Sequence, residues 1–179
     1  MDTNINEYSY QNSKAKDIVI TSLLIALVFI ATKFINIRLP ISVNGGLIHL
    51  GNTALFIAAI VFGKKKGAIA GAFGMCLFDI LSGWIMWAPF TFIIRGVMGY
   101  LVGYIAYTNG KNGRNLYFNL MGIVLGGIWM IIGYYMTEVI LYGNWIYPIT
   151  SIPGNITQII IGAILGLPVA SILKKANIS

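Results

Sequence analysis

Residues 17–37 read DIVITSLLIALVFIATKFINI. Only Asp17 at the start and Lys33 near the end carry charge. A helix crossing a hydrocarbon core of ~30 Å needs about 20 residues at 1.5 Å each, and this run has that length. Lys14 and Lys16 precede it, as cations precede the apolar part of a secretory leader. The run is too long for such a segment and no small-x-small cleavage site follows, so it is expected to be a retained membrane span.

Further apolar runs of similar character follow at 47–62, 67–84, 89–107, 116–141 and 152–173. Backbone polar groups in lipid must bond within the protein, and these runs lack the alternation of barrel strands. The expected fold class is therefore all-α, an integral membrane bundle of six transmembrane helices. The run at 47–62 is short, which suggests a tilted helix or one that starts on a broken segment. Residues 1–13 are expected to form a flexible cytoplasmic tail, 14–175 a single transmembrane domain, and 176–179 a short C-terminal tail. Composition agrees. Of 179 residues, 58% are hydrophobic and 9% charged, against about 25% charged in a soluble domain. So few charges cannot cover a water-facing surface, and so much apolar matter excludes disorder. Cys76 is the one cysteine, so no intrachain disulfide forms.

The net charge of +7 raises nucleic acid as a partner. The cations instead lie in short clusters between apolar runs, the pattern of a membrane orientation signal. With the N-terminus inside, Lys14, Lys16, Lys64, Lys65, Lys66, Lys111, Arg114, Lys174 and Lys175 are cytoplasmic, leaving Lys33, Arg38 and Arg95 in the outer half. Both termini are then cytoplasmic, in a cell (plasma) membrane. Pro40, Pro89, Pro148 and Pro153 fall at outer boundaries, and the outer connections are the longer and more aromatic ones, which points to function on that side.

Small residues recur four apart: Gly67/Gly71, Gly99/Gly103, Gly122/Gly126 and Gly162/Gly166, with Ser22/Ala26 and Ala59/Gly63 similar. Such stripes let helix backbones approach in lipid, either inside the bundle or against a partner subunit. The first helix is the expected partner face.

Ionisable residues inside a membrane are rare and mark function. At 1.5 Å per residue, Asp79 lies roughly 18 Å from the inner start of its run and Arg95 about 9 Å from the outer end of its own. Glu138 and Lys33 also fall in the outer half. Around them stand Asn44, His49, Asn52, Asn155 and Gln158, with Trp84, Trp87, Trp145 and Tyr147. Together these are expected to form a polar-floored, aromatic-walled pocket open to the outside. Each has a plainer reading: an Asp79–Arg95 pair that holds two helices, Lys33 and Arg38 snorkelling to headgroups, an interfacial aromatic belt, Glu138 turned outward, a loop hydrogen bond for His49. An aromatic wall favours a flat heterocycle, with Asn, Asp and Arg setting its orientation. Arg95 is the expected anchor for an anionic or phosphorylated ligand, and Asp79 or Glu138 the acceptor for hydroxyl or amino groups.

Catalytic motifs are missing. Gly63-Lys64-Lys65-Lys66 has the wrong spacing for a phosphate-binding loop, and one His with one Cys cannot build a usual zinc site. No H-E-x-x-H or G-x-S-x-G occurs. The chain is expected to be no enzyme and to hold no metal and no cofactor of its own.

The region 45–103 carries a set of motifs. These are Gly46-Leu47-Ile48-His49-Leu50-Gly51-Asn52, then Ala58-Ala59-Ile60-Val61-Phe62-Gly63 with its basic turn and Gly67-Ala68-Ile69-Ala70-Gly71. Asp79-Ile80-Leu81-Ser82-Gly83 and Ala88-Pro89-Phe90-Thr91-Phe92-Ile93-Ile94-Arg95-Gly96 follow. The region resembles the substrate-binding S components of energy-coupling factor (ECF) vitamin transporters, in the riboflavin-type branch that also includes hydroxymethylpyrimidine and pyridoxine carriers. The resemblance implies capture of a vitamin or vitamin precursor at the outer side. It also implies partners: a transmembrane coupling (T) subunit and two cytoplasmic ATPase subunits that use ATP, with toppling in the bilayer to release the vitamin. The family's first-helix Ala-x-x-x-Ala face corresponds to Ser22 and Ala26 here, with Ile30 one turn on. Two other readings stay open at this point: a self-sufficient carrier coupled to an ion gradient through Asp79 or Glu138, and a structural membrane protein without ligand.

Overall fold

The computed structural model describes residues 2–38 and 47–177. Its helices are α1 (Asp2–Phe34), α2 (Gly51–Phe62), α3 (Lys64–Leu81), α4 (Ala88–Ala106), α5 (Leu116–Tyr142) and α6 (Ile152–Lys175). Between α1 and α2, strands β1 (Asn36–Arg38) and β2 (Leu47–His49) pair antiparallel, with Ile37 opposite Ile48. A 3-10 turn at Tyr147–Ser151 leads into α6.

The six helices match the six apolar runs, with differences at the ends. The chain is helical from Asp2, where the sequence suggests a loose tail. Extending an existing helix needs no new nucleus, so polar residues can continue one that the apolar run has started. At its other end α1 stops at Phe34. There Asn36 Nδ2 donates to the carbonyls of Lys33 at 2.6 Å and Thr32 at 3.3 Å, and the chain leaves as β1. The second run divides in the same way: 47–49 is strand, and the helix begins only at Gly51. Ile37 and Ile48 are as apolar as their helical neighbours, so hydrophobicity alone does not separate the two states.

Helix α2 has 12 residues, about 18 Å of rise. It is enclosed by its neighbours: Leu55, Phe56, Ala58, Ala59, Ile60 and Val61 have no exposed surface. Helices α1, α4, α5 and α6 are long and apolar enough to cross a membrane. Helix α3 has 18 residues and carries three lysines and Asp79. The outer surface is apolar as well as the core. On α5, Ile128, Ile132, Met136 and Ile140 recur every fourth residue and are exposed, as are Ile156, Ile160 and Ile164 on α6. That stripe suits lipid and no aqueous surface.

Glycines set the helix spacings. A Cβ on Gly67 would lie 2.6 Å from Ala59 Cα, and one on Gly99 would overlap the Gly67 carbonyl, so α2, α3 and α4 meet backbone to backbone. A Cβ on Gly162 would lie 2.9 Å from the Asn52 Cβ, which brings α6 against the start of α2. These glycine stripes pack within the bundle. Helix α1 turns Leu24, Val28 and Thr32 inward and leaves Ser22, Ala26 and Ile30 exposed on its other side.

Candidate functional site

The bundle has two unlike ends. At one, Lys64, Lys65 and Lys66 open α3, and a cleft of about 600 Å³ runs among Asp17, Phe62, Lys64, Tyr104 and Tyr107. Lys66 is ion-paired to Asp17 at 2.8 Å, and the Lys64 ammonium lies over the Tyr104 ring at 4.9 Å. At the other end lie the β1–β2 hairpin and most of the buried polar side chains.

The centre of that hairpin end is Arg95 on α4, which is 2% exposed. Its Nε donates to the Tyr134 hydroxyl on α5 at 3.0 Å. Its Nη1 donates to the side-chain oxygen of Asn52 on α2, and to the sulfurs of Met130 at 3.0 Å and Met98 at 3.7 Å. The guanidinium also stands over the Tyr134 ring, 5.0 Å from its centre. Tyr134 in turn donates to Thr91 Oγ1 at 3.2 Å. One cation thus ties α2, α4 and α5 together, with hydrogen bonds replacing the water it has lost.

Helical periodicity explains the convergence. Thr91, Arg95 and Met98 share one face of α4, and Met130, Tyr134 and Glu138 stand four apart on the facing side of α5. Asn155, Gln158 and Gly162, spaced three and four apart, share one face of α6. Asn52 is fully buried, and Gly162 lets α6 approach it closely.

Asp79 sits in the last turns of α3, buried, with Thr91 facing it. The direct Asp79–Arg95 ion pair that the sequence suggests is not made: no N···O approach between them falls within 4.0 Å. The two helices are held by glycine contacts instead. Glu138 does not turn outward. It is 4% exposed, and its Oε2 accepts from Ser151 Oγ at 2.9 Å, which ties the α5–α6 connection back onto α5. His49 is buried; its Nδ1 accepts from the Gly51 N–H at 3.1 Å, and its ring lies near Phe78. That bond leaves the ring proton on Nε2.

Not every expected residue joins the cluster. Trp87 does, half-buried beside Tyr134 with ring centres 6.2 Å apart. Gln158 is buried, and Asn155 and Trp84 are half-buried. Trp145 and Tyr147 are 63% and 46% exposed on the α5–α6 connection, in a turn where Asn144 Oδ1 accepts from the Ile146 and Tyr147 N–H groups. Lys33 is exposed and donates to Ser82 Oγ at 3.0 Å. Asn44 lies outside the described residues. Sequence reasoning missed Thr91, Tyr134, Met98 and Met130. The four-residue spacing of Tyr134 before Glu138 and of Thr91 before Arg95 is the signal that would have found them. Among the described residues no group of three or more His, Cys, Asp or Glu gathers to hold a metal.

Comparison with known proteins bears on what this arrangement serves. The family described as "ECF-type riboflavin transporter, S component" matches residues 12–175. The chain is 26% identical over 167 residues, 93% of each protein, to the "Thiamine precursor transporter HmpT" of Lactococcus lactis subsp. cremoris (strain MG1363). It is 34% identical over 139 residues, 78% of this chain and 90% of the relative, to an uncharacterized protein in the gap 3' region of Pyrococcus woesei.

Proposed function

Because this chain belongs to the family of S components of ECF-type riboflavin transporters, we propose that it captures a vitamin or vitamin precursor at the hairpin end. It is a multi-pass plasma-membrane protein and a transport subunit, not an enzyme. The ligand in this reading is a flat nitrogen heterocycle of the riboflavin, pyridoxine or thiamine-precursor kind. The observation that carries the proposal is the buried polar cluster around Arg95, Asn52 and Asp79 at one end of an otherwise apolar bundle. Burying such groups in a membrane is costly and is the usual mark of a substrate site.

The positive-inside rule puts the lysine end in the cytoplasm and the hairpin end outside, with both termini cytoplasmic. Ligand then enters between the hairpin and the α5–α6 connection. Trp84, Trp87 and Tyr134 offer ring faces for stacking, and Asn155 and Gln158 offer polar contacts from α6. Uphill import draws on a membrane T subunit and two ATPase subunits, with Ser22, Ala26 and Ile30 of α1 as the docking face for the former. Titration of the purified protein with riboflavin, pyridoxine and a hydroxymethylpyrimidine, followed by tryptophan fluorescence, tests the proposal. Saturable binding of one supports it, and binding of none refutes it. Uptake into proteoliposomes by this chain alone, driven by an ion gradient, would support a self-sufficient carrier instead.

A further inference from the structure

The lysine end of the bundle holds a cleft that vitamin capture at the hairpin end leaves without a role. Its volume is about 600 Å³, and it lies between α1, the start of α3 and the end of α4. Lys64, Lys65 and Lys66 line it together with one acid, Asp17. Asp17 is paired with Lys66 at 2.8 Å. Among the described residues no carboxylate lies within 4.0 Å of Lys64 or Lys65. The cleft therefore carries two uncompensated positive charges. Lys64 is half-buried, and its ammonium stands 4.9 Å from the centre of the Tyr104 ring and 5.5 Å from that of Tyr100. The two rings are stacked on each other. A long side chain held against two rings has already lost part of its freedom, so it loses less when an anion arrives.

The cleft does not end in water. Lys65, Ile69, Phe73 and Leu77 recur every fourth residue on α3, and all four are exposed. Ile69 also lines the cleft, so the apolar strip begins inside it. Phe92 of α4 packs edge-on against Phe73, with ring centres 5.0 Å apart, and widens the strip. Tyr100 and Tyr104, 42% and 51% exposed, stand at the same level as Lys64, as aromatic residues do at a membrane–water boundary. A soluble anion uses the cationic cleft and leaves the strip idle. A phospholipid uses both, with its phosphate in the cleft and an acyl chain along Ile69, Phe73 and Leu77. The volume suits such a headgroup, since small organic ligands occupy sites of about 300–1,000 Å³.

We infer that the cleft among Lys64, Lys65 and Tyr104 is a binding site for the phosphate of an anionic phospholipid in the leaflet at the lysine end. The site lies at the opposite end of the bundle from the Arg95 cluster and does not depend on which vitamin that cluster takes. A net anionic headgroup is favoured over a zwitterionic one, because a choline or ethanolamine cation would stand beside the lysines and cancel the attraction.

The test uses the purified full chain in a neutral detergent and three probes: short-chain phosphatidylglycerol, phosphatidylcholine with the same chains, and glycerol phosphate, which lacks chains. Native mass spectrometry counts bound lipid, and the unfolding midpoint against probe concentration gives the affinity. Phosphatidylglycerol is expected to bind saturably and at least about tenfold tighter than either other probe. A lysine near the headgroups contributes about fivefold, so the double variant Lys64→Gln/Lys65→Gln should lose about 25-fold for phosphatidylglycerol and nothing for phosphatidylcholine. Lys111→Gln/Lys175→Gln removes the same charge outside the cleft, from two exposed positions, and should change neither. An equal loss in both double variants overturns the inference, since attraction would then be diffuse. If the first variant does not fold, the wild-type panel decides. Equal binding of the two lipids overturns the site, and glycerol phosphate binding as tightly as phosphatidylglycerol replaces the lipid by a soluble phosphate. Binding of no lipid, with co-purification of the T and ATPase subunits lost in the first variant, assigns the lysines to an acidic segment of a partner and overturns the lipid.

Discussion

Arg95 donates from Nη1 to the side-chain oxygen of Asn52, and this bond joins α4 to α2, the most enclosed helix of the bundle. Asn52 has no exposed surface and Arg95 almost none. Any change in the guanidinium is therefore transmitted to the central helix.

Arg95→Ala is expected to weaken ligand binding by about tenfold to a hundredfold, because hydrogen bonds to a charged group contribute about 1.5–3 kcal/mol. Arg95→Lys keeps the charge but not the planar fork, so it should restore only part of the affinity. Fluorescence titration of the purified variants measures both. Unchanged affinity in a folded Arg95→Ala protein would make the residue a structural tie only.

Gly99→Leu forces a side chain into the Gly67 carbonyl and should destabilise by at least about 1–3 kcal/mol, the range for overpacking in a closed interface. Ile132→Ala, on the exposed stripe of α5, should stay within about 0.5 kcal/mol. Thermal unfolding in one detergent compares them, and equal midpoints would contradict the close α3–α4 contact.

Ser151→Ala removes the donor to a buried carboxylate and leaves Glu138 with one bond fewer. The expected loss is about 1–3 kcal/mol, felt locally. Amide hydrogen exchange should rise across Tyr147–Ser151 and the first turn of α6 while α2 keeps its protection. Uniform change across the chain would argue against a local tie.

Ala26→Trp places a bulky group on the exposed face of α1, away from the polar cluster. Ligand affinity should be unchanged, because α1 buries Leu24 and Val28 on its other side. Co-purification with the T and ATPase subunits, and uptake that depends on them, should fall at least about tenfold if a close small-residue contact is lost there. Retained assembly would move the docking face elsewhere.

The number of helices and their approximate limits were legible in the chain because hydrophobicity is additive and local. The run at 116–141 needs no tertiary knowledge to be a helix, and α5 is Leu116–Tyr142. The glycine stripes were legible for the same reason, since they mark faces and not partners. The hairpin was not: β1 and β2 are apolar segments whose state depends on pairing with each other. Tyr134 and Thr91 were passed over because neutral hydroxyls within an apolar run give no compositional signal.

Side-chain identity and spacing were sufficient to show that this protein lives in lipid, that it has six helices, and that its hydrophilic residues gather toward one end. Which of those residues touch was decided only by packing. Arg95 joined Asn52 and Tyr134 in place of Asp79, Glu138 turned inward to Ser151, and Trp145 turned out. Segregation by polarity follows from each residue's own transfer free energy, whereas partner choice depends on where the glycine contacts hold the backbones, and no single residue carries that information.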